Sequence, residues 1–134
     1  MRILIVEDNP LDARLVELSL SEVRGFSFHM VRKATLGEAV SYLENEAVDV
    51  ILLDLDLPDS SGLETLVRCV RHAKNAAVVV LTGFDDDRIA AQCVRMGAQE
   101  FLAKGVIPGN LLVRTIRSSI VRAEMARPVS QDAA

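Results

Sequence analysis

Glu7 and Asp8, Asp54, Thr82 and Lys104 lie far apart in this 134-residue chain, yet each directly follows a short aliphatic run. Three carboxylates gathered together repel one another, and the remedies are a raised pKa or a bound cation. A donor set of hard oxygens without His or Cys favours Mg²⁺, which keeps several waters and is held by one or two carboxylates with phosphate oxygens. An Asp carboxylate can also attack phosphorus and form an acyl phosphate. The transferring group then needs its equatorial oxygens neutralised, which a metal, an ammonium and a hydroxyl can do. Lys104 and Thr82 carry the last two groups. Taken singly, an Asp at a strand end is more often a helix cap, a Lys a solvated charge and a Thr a partner for nearby backbone. Their joint occurrence at successive strand ends points to one phosphate-handling pocket.

The runs that precede these residues, Ile3–Val6, Val50–Leu53 and Val78–Leu81, are too short for helices and apolar on both faces, as buried parallel strands are. Phe26, Phe28 and Met30 alternate with Ser27 and His29 and predict a strand that is half exposed, and Glu100–Ala103 predicts a fifth. Strands two and five therefore read as sheet edges. Helix starts follow each strand: Asn9 before Pro10, Thr35 with Glu38 and Ser61 with Glu64 as capping boxes, acidic Asp85 to Asp87, and Pro108 opening the last helix. Gly25 and Gly97 stand where helices should stop. Stripes such as Leu63, Leu66, Val67, Val70 and Leu112, Val113, Ile116, Ile120, Ala123 are spaced to face a sheet. The order is (βα)5. Right-handed crossovers put helices on both faces of such a sheet, and ligands bind outside the carboxyl ends of its strands. Asp49, at the start of strand three, belongs to the opposite edge as a loop or cap residue.

Composition agrees with one aliphatic α/β domain: 50% hydrophobic residues, 4% aromatic and no Trp. A net charge of −4 gives no electrostatic case for direct nucleic-acid binding or for an anionic membrane surface. The N-terminal apolar stretch meets acids too early for a signal peptide or a membrane span, so a cytoplasmic protein is expected. Cys69 and Cys93 sit in apolar helical patterns and read as reduced core thiols, and His29 and His72 are isolated.

Over residues 1–126 the chain resembles the receiver domain of bacterial two-component response regulators. Val6-Glu7-Asp8-Asn9 is similar to its acidic metal-binding turn, Asp54-Leu55-Asp56-Leu57-Pro58 with Gly62 to its phosphoacceptor motif, and Thr82-Gly83 and Lys104 follow at the family's spacing. The resemblance implies a flavodoxin-like, doubly wound parallel sheet of order 2-1-3-4-5, with a receiver domain at 1–126 and a C-terminal tail at 127–134. It implies a phosphoprotein switch that takes its phosphoryl group onto Asp54 from a sensor histidine kinase or a histidine phosphotransfer protein, catalysing only its own phosphorylation and dephosphorylation. Mg²⁺ would be held by Asp8 and Asp54, by Glu7 mainly through water, and by the backbone carbonyl of Asp56. Thr82 and Lys104 would contact the phosphoryl oxygens, Thr82 and Phe101 would form the switch, and Asp56 and Phe84 would tune the phosphoryl lifetime.

Lys104 is followed by Gly105 where the family often has Pro, and a cis Lys-Gly bond would cost about 2.5–4 kcal/mol. Two other readings compete. Ile51-Leu52-Leu53-Asp54-Leu55-Asp56 also resembles the nucleophile motif of haloacid-dehalogenase-type phosphatases, but that family usually places its nucleophile on the first strand and needs another acidic motif after the Lys, where only Glu124 and Asp132 remain. A pseudo-receiver without phosphotransfer usually lacks an acid or the Lys, and both are present. A dinucleotide-binding fold would need a Gly-rich turn after strand one.

Output is expected through protein–protein contact on the face of the fourth helix, strand five and the last helix, next to Thr82, Phe101 and Lys104. Arg114, Arg117, Val121 and Met125 are expected to point outward there, to meet a downstream protein or a second copy. With only Arg127–Ala134 after the last helix, the chain is expected to be a stand-alone protein or the front of a longer one.

Overall fold

The computed structural model of the chain describes residues 1–83 and 87–126. Five parallel strands form the main sheet: β1 (Arg2–Val6), β2 (His29–Lys33), β3 (Val50–Leu53), β4 (Ala77–Thr82) and β5 (Glu100–Ala103). Their order is β2-β1-β3-β4-β5, which is the doubly wound, flavodoxin-like arrangement expected. Every residue of β3 and β4 is buried, which is why these strands are unbroken aliphatic runs.

Five helices cover the sheet: α1 (Pro10–Ser21), α2 (Leu36–Asn45), α3 (Leu63–His72), α4 (Asp87–Arg95) and α5 (Gly109–Met125). The side-chain period of two along each strand divides them between two layers. Leu4, Val6, Ile51, Leu53, Val78 and Val80 pack with Leu36, Leu66, Cys69 and Cys93 of α2, α3 and α4. Ile3, Ile5, Val50, Leu52, Val79 and Leu81 pack with Ala13 and Leu20 of α1 and Leu112 and Ile116 of α5. Burial pushes the Cys69 thiol up to about 12, and both cysteines are free.

The cap at Asn9 is as read: its side chain accepts from the amides of Leu11 and Asp12, with Pro10 at the first helical position. Thr35 Oγ1 accepts from Glu38 N at 3.1 Å, but the Glu38 carboxylate returns to Ala34 N instead of Thr35 N. Asp59, from the loop after β3, completes the start of α2 by accepting from Leu36 N and Gly37 N, each at 2.9 Å. Backbone hydrogen bonds from Gly37 and Leu36 hold its carboxyl below the usual range, outweighing the opposing effect of burial.

Two local expectations fail. Ser61 does not cap α3; Asp56–Leu57 and Ser60–Ser61 form a two-residue antiparallel ladder, and the helix starts after Gly62 (φ 71°) with no side-chain cap. Residues 26–28 are not strand: Arg2 pairs with His29, so the ladder starts there, while Phe26 and Phe28 stack at 5.7 Å beneath α5. Pro108 is the cap residue of α5 and lies just outside it. Gly109 is the first residue of α5, and a Cβ there would lie 2.2 Å from the Ser19 carbonyl oxygen, so the closeness of α1 and α5 requires glycine.

Arg114, Arg117 and Val121 are also placed differently from expectation. They line a groove with Val23 and Arg24 on the α1 side of α5, and Arg117 stacks over Phe26. On the other flank of α5, Arg122 reaches the start of β5, through Gln99 O at 3.0 Å and Glu100 Oε2 at 3.3 Å. The helical turn decides this: five residues separate Arg117 from Arg122, which puts them on different flanks.

Candidate functional site

Register assembles the site. Val6 is level with Leu53, so Glu7 and Asp54 leave the sheet side by side, and Asp54 N bonds Val6 O at 3.0 Å. Thr82 is level with Ala103, and Lys104 N bonds Thr82 O at 2.8 Å. Alternation then assigns faces. Continuing from Ile5, Leu52 and Leu102, the side chains of Glu7, Asp54 and Lys104 fall on the α1/α5 layer, whereas Thr82 continues Val78 and Val80 toward α3 and α4.

An open pocket of about 400 Å³ results, lined by Glu7, Asp8, Asn9, Asp12, Asp54, Asp56, Thr82, Gly83 and Lys104. Glu7 and Asp54 are almost wholly buried, at 3% and 5% exposure, and Asp8 is exposed. One carboxylate oxygen from each of Glu7, Asp8 and Asp54 lies within 4.8 Å of the others. Three hard oxygens without nitrogen or sulfur suit Mg²⁺ or another hard cation, so the donor set fits the ion that the sequence implies. Thr82 Oγ1 is buried with no hydrogen-bond partner among the described residues, an orphan donor and acceptor at the same pocket.

Lys104 Nζ lies 2.8 Å from Asp54 Oδ2, 3.3 Å from Asp12 Oδ2 and in contact with Glu7 Oε1. Burial alone would lower the lysine pKa, but the hydrogen bonds and charges of Asp54 and Glu7 outweigh it and raise it. Burial pushes the Glu7 carboxyl up to about 7 against the opposing pull of Lys104 and of the Asn9 amide, with the Asp54 charge adding to the rise. Asp54 Oδ1 accepts from Asp56 N at 3.1 Å, and the Asp56 side chain itself is exposed. Gly105 takes φ 135°, no peptide is cis among the described residues, and so Lys104 reaches the pocket without the bond that proline would favour.

The five sequence-predicted residues are thus brought together. Phe101 is half-buried, level with Val80 and on the same face as Thr82. Phe84 lies outside the described residues, as do Asp85, Asp86 and the tail at 127–134. Two residues were missed. Arg32 donates from Nη1 to Glu7 O at 2.9 Å, a contact across strands that no local pattern encodes. Asp12 stands in the first turn of α1, and an acid placed there, two residues after Pro10, is the available signal.

The match to the response regulator receiver domain family spans residues 3–116. The chain belongs to that family, the receiver domains of two-component systems. It is 35% identical over 137 residues to the TorCAD operon transcriptional regulatory protein TorR of Escherichia coli (strain K12), covering 97% of this chain and 56% of that protein. It is 30% identical to Response regulator UvrY of the same strain, over 88% of this chain and 53% of the relative. The chain spans about half the length of these curated relatives. Among solved structures, it is similar to a response regulator receiver domain from Rhodospirillum rubrum (TM-score 0.70, 27% identity, 96% and 97% of the two chains). A CheY-like receiver domain from Methanospirillum hungatei JF-1 is similar to the same degree (TM-score 0.74, 25% identity, 94% and 98%). Among the described residues no helix is long and apolar enough to cross a membrane.

Proposed function

We propose that residues 1–126 form a phosphorylation-activated switch in which Asp54 accepts a phosphoryl group from a sensor histidine kinase or a histidine phosphotransfer protein. The observation that carries this is a buried Asp54 carboxylate paired with Lys104 at 2.8 Å beside the oxygens of Glu7 and Asp8. An Asp54 oxygen attacks phosphorus, the P–N bond of the donor phosphohistidine breaks, and the leaving imidazole nitrogen takes a proton. Mg²⁺, held by Asp8 and Asp54, by Glu7 through water and by the Asp56 carbonyl, would supply charge neutralisation to the phosphoryl oxygens. Lys104 compensates part of that charge and orients the group, while Thr82 turns its hydroxyl to another oxygen.

Movement of the Thr82 hydroxyl toward the phosphoryl group opens space on the α3/α4 side, which the ring of Phe101 fills. Asp56, exposed beside the acceptor, and Phe84 tune how readily water reaches the acyl phosphate. The domain signals and does not turn over external substrates. Its work is cytoplasmic, and its output is contact of the α4–β5–α5 face with a downstream protein or a second copy, without direct nucleic-acid or membrane binding. A partner can read the switch only by distinguishing its two states, which favours a surface adjoining Phe101.

The test is mass spectrometry after incubation with Mg²⁺ and acetyl phosphate. A single label at Asp54 is expected, lost in Asp54→Asn and kept in Asp56→Asn. The reverse pattern overturns the assignment, and steady hydrolysis of small phosphoesters would point instead to a phosphatase.

A further inference from the structure

We propose that Asp12 is a positioning residue that keeps the Lys104 ammonium at the pocket once the buried carboxylates have been engaged by a cation, an inference that rests on the phosphoacceptor reading above. Among the described residues, Lys104 Nζ is shared by three carboxylates, Glu7, Asp54 and Asp12. Two of the three, Glu7 and Asp54, belong to the oxygen cluster that suits a divalent cation, and Asp12 does not. A cation on that cluster withdraws counter-charge from Lys104 and adds a like charge beside it. Coulomb repulsion then drives the flexible lysine outward unless another anion holds it. Among the described residues, Asp12 is the remaining partner.

Its placement follows from the backbone. Alternation along β5 turns Lys104 toward the layer that contains α1, and Asp12 lies in the first turn of that helix. Asn9 fixes that turn by accepting from the amides of Leu11 at 2.9 Å and Asp12 at 3.4 Å. The helix N-terminus stabilises a carboxylate there. With its side chain 39% exposed and that of Lys104 25% exposed, the pair sits at the mouth of the pocket, where a phosphoryl group would enter. Loss of the carboxylate at position 12 therefore changes where the ammonium waits and leaves the metal-binding oxygens in place.

Two measurements test this on the full chain. With acetyl phosphate and Mg²⁺, Asp12→Ala should slow labelling of Asp54 by about two- to fivefold, the fold-change that a partly exposed ion pair carries. Asp12→Glu should restore most of the rate, and Asp12→Ala should have no further effect in a Lys104→Ala background, as pairwise coupling requires. Independently of labelling, the ¹⁵N-resolved Lys104 ammonium signal should be held in Mg²⁺-loaded wild type and in Asp12→Glu but broadened by exchange in Asp12→Ala. Equal or faster labelling of Asp12→Ala, an undiminished effect in the Lys104→Ala background, or an unchanged ammonium signal would overturn the role. Failure of wild type to be labelled at Asp54 would overturn the parent reading, and the ammonium signal alone would then judge Asp12.

Discussion

Strand β3 is bounded by two aspartates, Asp49 before it and Asp54 after it, and they do entirely different things. Asp49 is exposed and accepts from Arg2 N at 2.7 Å, beside an Arg2–Glu46 pair whose side chains are each 46% exposed. Asp54 is 5% exposed, held by Lys104 and by the Asp56 amide, and adjoins Glu7 and Asp8. Both ends gather acids and a base. At the amino end the charges keep their water, and their pairing is worth little. At the carboxyl end, the register of three buried strands presses charges together out of solvent, where each must be answered by a proton, a partner or a cation.

The largest expected contrast between the two ends is in metal affinity. Asp8→Ala should weaken Mg²⁺ binding by about 10–100-fold, the range seen even when a supporting partner of a ligand is lost. Glu46→Ala at the other end should leave it unchanged. Isothermal titration of both variants reads this directly, and equal effects would mean that bulk negative charge, not the clustered oxygens, binds the ion.

Next in size is a pH dependence confined to the carboxyl end. The folded Glu7 carboxyl titrates at about 7 against an ordinary 4.5, so between those values the folded state holds a proton that the unfolded chain gives up. Metal-free stability should therefore fall as pH rises through this window, since the unfolded state binds fewer protons. Mg²⁺ needs the anion, so its affinity should rise across pH 7 with release of up to one proton per ion. Glu7→Gln should flatten both trends, and calorimetry in buffers of different ionisation enthalpy would show whether a proton leaves.

The smallest effect belongs to Asp49. Removing its carboxylate in Asp49→Ala leaves Arg2 N to water and should cost about 0.5–1.5 kcal/mol in urea denaturation, with labelling of Asp54 intact. Any change in labelling would show that the two ends of β3 are not separable.

The carboxyl end was legible because parallel sheets bury whole strands, so that Val50–Leu53 and Val78–Leu81 stand out as apolar runs and whatever follows them must surface together. What escaped depended on pairing between distant residues. The spacing of Ser61 to Glu64 fits a capping box, but the ladder with Asp56 takes Ser61 out of the helix start. Phe26 and Phe28 alternate like a strand, yet their rings serve as packing under α5, and alternation alone cannot tell the two apart. The spacing of Arg114, Arg117 and Val121 turns them outward, as found, but not to the flank they occupy, because a helical wheel gives exposure without saying which neighbour lies on which side.

The bond from Asp59 to the start of α2 has a consequence for transplanting this chemistry. The acidic loop after β3 is not a portable cassette: its fold depends on a landing place more than twenty residues upstream, at the amides of Leu36 and Gly37. A graft of residues 54–58 into another parallel sheet would carry the nucleophile and leave its anchor behind.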